Sequence, residues 1–200
     1  MEKPIIKFET ERLFVRSVQE KDKEYSMALR VGNSEISDAY NSSPGFCDME
    51  WNHELTSRDD IFLSAFLKET GRFIASGSIQ KFKTNTIEFG FDVLAEYRNR
   101  GVAAELVNGM LQVVRTQFPG RSVRIRTRRE NAACRRVAEK CGGVLTEYEA
   151  DPWELAILRL IETLEKEDPD SDLLKSVKKD YPEGTLALEK DSIFVYSINP

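Results

Sequence analysis

The chain has 200 residues, 40% of them hydrophobic and 32% charged, with a formal net charge of −5 at pH 7. That is enough chain for one ordinary domain with a buried core, taken here as residues 1–200. No apolar run approaches the roughly 18 residues of a membrane span, MEKPIIKFET has no signal-peptide core, and the acidic balance argues against a general nucleic-acid binder, so the expectation is a cytoplasmic protein with no membrane or nucleic-acid partner.

In chain order, Leu13–Arg16 alternates as a first strand, and Glu20–Val31 has helix formers with Tyr25, Ala28 and Leu29 at helical spacing. Gly32–Cys47, with Ser42-Ser43-Pro44-Gly45, reads as a loop, and Asp48 as the cap of a short helix bearing Trp51, His53 and Leu55. Ile61–Leu67, Phe73–Ile79 and Ile87–Val93 are strand-like, and their short Gly- or Asn-containing connections predict an antiparallel meander. Gly90 inside the last of them predicts a bulge or a close backbone approach. Gly101–Phe118 then puts Leu106, Val107, Met110, Leu111 and Val114 on one helical face. Val123–Arg126 is a strand, and Asn131 opens a helix with Cys134, Val137, Ala138 and Cys141 at helical spacing, stopped by Gly142-Gly143. Asp151-Pro152-Trp153-Glu154 is a helix start ahead of Ile157, Leu160, Ile161 and Leu164; a short helix over Ser171–Lys179 and a final strand over Ile193–Ile198 follow. The strand–helix alternation in the second half implies a mixed sheet, with 151–190 a helical insertion before the last strand. Cys134 and Cys141 lie about two helical turns apart, too far to bridge. With Cys47 as the third cysteine and His53 as the one histidine, the chain offers no metal-ligand pattern, so the expectation is no metal and reduced thiols.

The segment with most chemistry in it is Arg98-Asn99-Arg100-Gly101-Val102-Ala103. It follows a strand and opens a helix, so its backbone N–H groups are unpaired and face the same way at the positive end of the helix dipole, which suits phosphate oxygens. It is neither the G-x-G-x-x-G turn nor the Lys-bearing phosphate loop, which weighs against dinucleotides and nucleoside triphosphates.

Arg98-x-x-Gly101-x-Ala103 resembles the Q/R-x-x-G-x-G/A signature of the GNAT superfamily of N-acetyltransferases, which holds the coenzyme A pyrophosphate. Thr10-Glu11-Arg12-Leu13-x-x-Arg16 resembles the T-E-R-L-x-L-R opening of the branch that contains ribosomal-protein N-terminal acetyltransferases. Glu88-Phe89-Gly90-Phe91 resembles its E-I-G-Y strand, and Asn131-x-x-Cys134 its N-x-x-S helix start, followed by Glu139-Lys140-x-Gly142. The likeness runs from about residue 10 to 147. It implies an α/β (α+β) fold: a mixed, twisted sheet of six to seven strands splayed after the fourth, with helices on both faces.

The resemblance also implies acetyl-coenzyme A as cosubstrate and direct transfer, in a ternary complex, to a primary amine on a small molecule or a protein N-terminus. The coenzyme would lie along Phe91, Asp92 and Val93 and touch Arg98, Asn99, Arg100, Gly101, Val102, Ala103 and Asn131. Glu88 stands where relatives place a base, and Cys134 where the ribosomal-protein branch has Ser. Ala138 occupies the place of the Tyr that many relatives use as proton donor, and this departure keeps open a non-catalytic coenzyme A-binding sensor. An RNA-associated module on the Arg121–Arg136 cluster is a third reading. The apolar face of Trp153–Leu164 reads as a sheet cover or a dimer contact, so the chain is expected to be a monomer or a homodimer.

Overall fold

The computed structural model describes residues 2–33, 44–180 and 193–200. Eight strands form one sheet: β1 (Lys7–Glu9), β2 (Leu13–Ser17), β3 (Ile61–Leu67), β4 (Phe73–Gln80), β5 (Thr86–Val93), β6 (Ser122–Arg128), β7 (Val144–Glu149) and β8 (Ile193–Ile198). Their order across the sheet is β1-β2-β3-β4-β5-β6-β8-β7. Every neighbouring pair is antiparallel except β5 and β6, which are parallel. The helices are α1 (Lys23–Asn33), α2 (Pro44–Thr56), α3 (Val102–Gln117), α4 (Ala132–Lys140), α5 (Pro152–Glu167) and α6 (Asp172–Asp180). Among the described residues no helix is long and apolar enough to cross a membrane.

The sheet has eight strands against the expected six to seven, and β1 and β7 are the two that the sequence did not mark. β1 is only three residues long, and β7 is a largely exposed edge whose register slips between Leu145 and Glu147, so neither carries a clean alternation of apolar and polar residues. The stretch expected to be a loop up to Cys47 is helical from Pro44, because Pro fits the first turn of a helix, where its missing N–H costs nothing. Residues 34–43 of that loop lie outside the described residues, as do 181–192 of the helical insertion and the side chain of Trp153. Gly90 marks a close approach and not a bulge. The β4–β5 register is unbroken, and a Cβ on Gly90 would stand 2.6 Å from Ser78 Oγ.

The two faces of the sheet differ in chemistry. On one, Leu106, Val107, Met110, Leu111 and Val114 of α3 are buried against the core side chains of β3, β4 and β5. Gly77 lets Met110 in, since a Cβ there would come within 3.0 Å of its sulfur. The other face lies under α1 and α2 and is polar. Ser64 pairs across to Ser76 and Ser76 to Asp92, while Ser78 pairs with Gly90 and Gln80 with Glu88. A sheet buried only for packing would alternate apolar residues onto both covered faces; this one keeps hydroxyls and carboxylates under its helices.

Candidate active site

Strands β5 and β6 pair only from Thr86–Ser122 to Glu88–Arg124. Beyond that point they diverge around a cavity of roughly 780 Å³, lined by Phe89–Asp92 on one side and Ile125–Arg128, Glu130, Asn131, Cys134 and Asp151 on the other. Glu88 sits at the closed end of the split. Its carboxylate meets Lys81 Nζ at 3.2 Å, Arg124 Nη2 at 3.3 Å and Arg126 Nη1 at 3.8 Å, and Arg126 also grips Glu149. This network ties β5 to β6 where their pairing stops. Glu88 lines neither cavity described here.

The phosphate-type turn lies beyond the C-terminal end of β5. Asn99 (φ 58°) and Gly101 (φ 79°) both adopt left-handed backbone, which turns the chain into α3. The first bond of the ladder is Glu105 N–H to Gly101 C=O at 3.0 Å, so the N–H groups of Val102, Ala103 and Ala104 lie ahead of it and point out of the helix start. The T-E-R-L segment holds this turn in place. Glu105 accepts from Thr10 Oγ1 (2.5 Å), Arg12 N–H (2.7 Å) and Arg12 Nε (2.7 Å), and Arg12 Nη1 donates to Arg100 C=O at 3.0 Å. Burial pushes the Glu105 carboxyl up, but the Thr10 and Arg12 donors outweigh it and hold the group below its usual range. Arg98, though exposed, folds back along the chain, its Nε donating to Val93 C=O at 3.2 Å and its Nη2 to Asn33 Oδ1. An open strand edge, a glycine cradle and ungated helix amides match the parts of a pantetheine diphosphate, so the residues present fit coenzyme A.

Asn131 caps α4, its Oδ1 accepting from Cys134 N–H at 2.9 Å, and both residues line the split. Burial pushes the Cys134 thiol up, opposed by a hydrogen bond with Thr127 and reinforced by the charge of Asp92. A raised thiol keeps its proton at neutral pH and is a donor, not a nucleophile. Iodoacetamide is therefore expected to modify Cys134 more slowly than glutathione at pH 8, read by mass spectrometry of the tryptic peptide; an equal rate would contradict a half-buried, protonated thiol. Ala138 is wholly buried in the core. Tyr196 does not stand in for the Tyr that relatives carry there: it is buried in β8, its hydroxyl donates to Glu139 at 3.1 Å, and it lines neither cavity.

A second cavity of roughly 300 Å³ opens on the polar face, between the sheet and α1 and α2. Arg30, Glu50, His53 and Glu54 line it from the helices, and Asp60, Phe62, Ser76, Ser78 and Gln80 from the loop and sheet. Arg30 bridges Glu50 and the buried Glu54, while His53 approaches Asp60 at 3.6 Å. His53, expected on the surface of its helix, is half exposed but belongs to this wall. Gly90, Phe91 and Asp92 line both cavities, so the two spaces flank the same end of β5. The sequence pointed to Asp92 for its backbone alone and did not foretell the contact of its side chain with Asn33, nor Thr127 and the Arg12–Glu105 clamp. The T-E-R-L string was the one signal for the clamp.

The sequence profile of the acetyltransferase (GNAT) domain matches residues 12–144. No curated protein matches the chain. Among solved structures, the chain is similar to a Vibrio cholerae protein assigned provisionally as a ribosomal-protein-serine acetyltransferase, at 13% identity and TM-score 0.63, over 98% of each chain. It is also similar to a GNAT-family acetyltransferase from Bacillus anthracis, at 18% identity and TM-score 0.63, over 96% of this chain and 98% of that one. Spermidine N-acetyltransferase from Vibrio cholerae, solved with coenzyme A and spermine, is similar at 16% identity and TM-score 0.58, over 70% of this chain and 85% of that one.

Proposed function

The chain belongs to the GNAT acetyltransferase family, and on that premise we propose that it moves an acetyl group from acetyl-coenzyme A to a primary amine, carried by a small molecule or a protein N-terminus, by direct transfer in a ternary complex. One observation carries this reading: the split between β5 and β6 and a second, polar cavity share the wall Gly90–Asp92. A coenzyme and an acceptor can therefore approach each other from two sides of one strand end.

Acetyl-coenzyme A supplies the activated acetyl group and a thiol leaving group. The amides of Val102 and Ala103, ahead of the first ladder bond of α3, bind the diphosphate with Asn99, Arg100 and Gly101, and the open edge of Phe91, Asp92 and Val93 orients the arm. Arg98 stiffens the end of β5, and Asn131 caps the helix that carries Cys134. Cys134, as a protonated thiol, is the donor in reach of a departing sulfur. Glu88 is the base that the family resemblance suggests, although Lys81, Arg124 and Arg126 surround it here. The reading places the protein in the cytoplasm, with no metal required.

A thiol-release assay with spermidine and with a peptide bearing a free N-terminal serine tests the proposal, alongside calorimetry with coenzyme A. Turnover of either amine is the expected result. The buried Ala138 favours a second reading, a coenzyme A-binding module without catalysis. Tight coenzyme binding with no thiol released from any amine would select it, and absence of both would remove the two together.

A further inference from the structure

We infer that Asp92 is the proton acceptor of this site, positioned by Asn33, an assignment that rests on the acetyltransferase reading. Proton removal from an incoming ammonium is served by a base within reach of the acceptor nitrogen where it approaches the reacting carbonyl. Among the described residues, Asp92 is the titratable side chain common to the two cavities. It lies on the polar face of β5, opposite Ser76 in the register, and close enough to Cys134 for its charge to be felt at the thiol. Glu88 lies on the same face four residues earlier, at the closed end of the split, with its oxygens taken up by three cations.

The Asp92 carboxylate is also held for the task. Asn33 Nδ2 donates to Asp92 Oδ1 at 3.1 Å, and Asn33 Oδ1 in turn accepts from Arg98, which reaches back to Val93 C=O. Among the described residues Oδ2 has no donor, so one oxygen is anchored and the other stays available. The chain Arg98–Asn33–Asp92 thus links the phosphate turn to the seam between the cavities. Filling the turn and orienting the base become parts of one arrangement.

The step balances without another reactant. Asp92 takes one proton from the acceptor R–NH3+; the freed nitrogen lone pair forms the N–C bond to the acetyl carbon as the carbon–sulfur bond breaks. The sulfur leaves with a proton donated by Cys134, and the thiol recovers it from the second N–H of the acceptor nitrogen. Asp92 then releases its proton to solvent. Asp92 is the catalytic residue and Asn33 a positioning residue.

The test compares Asp92→Asn, Asn33→Ala and Glu88→Gln in the full chain, with whichever of spermidine or the serine peptide the wild type acetylates. Asp92→Asn is expected to lower kcat about 100-fold or more and to remove the acid limb of the pH–rate profile, with coenzyme A affinity by calorimetry within about twofold of wild type. Asn33→Ala is expected to lower kcat about tenfold and to shift that limb without removing it. A second readout does not depend on turnover. In the coenzyme A complex, the Asp92 side-chain carboxyl carbon, assigned by its loss in Asp92→Asn, is expected to shift in the 13C spectrum on adding spermidine or the peptide. Wild-type turnover with full kcat in Asp92→Asn, or loss confined to Glu88→Gln, overturns the assignment while leaving the acetyltransferase reading intact. No wild-type turnover, together with a carboxyl signal that ignores both amines, removes both.

Discussion

Asp22→Asn is expected to cost about 3–5 kcal/mol of folding stability, the largest loss of any single side chain in the polar network. Asp22 is fully buried beneath β2. Its carboxylate takes Arg16 bidentately at 2.5 and 2.8 Å, Gln19 N–H at 3.0 Å, Ser64 Oγ at 2.9 Å and Tyr25 hydroxyl at 3.0 Å. Asparagine fills the same space but carries no charge. Arg16, whose side chain is 13% exposed, is then left in place without its counter-ion, and two of the donors face an amide N–H2 instead of an oxygen. At roughly 2–4 °C per kcal/mol for a chain of this size, the midpoint should drop on the order of 10 °C.

The pH dependence has a definite sign. Burial alone would push the Asp22 carboxyl up, but Arg16, Gln19, Ser64 and Tyr25 outweigh it and hold the group below the usual carboxylate range. A depressed folded-state value stabilises the protein above the ordinary carboxylate range, and that stability is lost as pH falls through the depressed value. The gap between wild type and Asp22→Asn should therefore be widest near pH 7 and close on acidification. Thermal denaturation at a series of pH values checks both, and a gap that ignores pH would show that Arg16 does not depend on its charge.

Gly101→Val is expected to weaken coenzyme A binding about 100-fold, which corresponds to about 2.7 kcal/mol. Space is not the obstacle, since the nearest atom to an added Cβ is Arg12 Nη2 at 3.5 Å. The obstacle is the left-handed backbone at φ 79°, which a β-branched residue adopts only at a cost of order 1–3 kcal/mol. The turn relieves that cost by rotating, and rotation takes the Val102 and Ala103 amides away from the diphosphate. Calorimetry with coenzyme A reads the loss, and unaltered thermal unfolding of the rest of the chain would confirm that the effect is local. Affinity within about threefold of wild type would mean the turn is not the phosphate site.

Some features were legible from short stretches of sequence because their causes are local. The apolar stripe of α3, the Asn131 cap, the meander of β3 to β5 and the turn at Arg98–Ala103 follow from helical spacing, capping chemistry and glycine conformation within a few residues. The start of α2 at Pro44 and the strands β1 and β7 were not legible, since each is short, exposed or irregular and draws its order from neighbours.

What the sequence by itself determined is the family, the core helix α3 and the turn at Arg98–Ala103, because periodicity, motif order and backbone preference act over short distances along the chain. Only the tertiary structure distinguished the surroundings of the two carboxylates on β5. Asn33 meets Asp92 across 59 residues, Arg98 meets Asn33 across 65, and Thr10 meets Glu105 across 95. The order of strands in the sheet brings those residues together, and it is also what leaves Glu88 among Lys81, Arg124 and Arg126 and Asp92 at the open seam. Side chains four residues apart on one strand share a face, so no local pattern distinguishes the paired one from the available one.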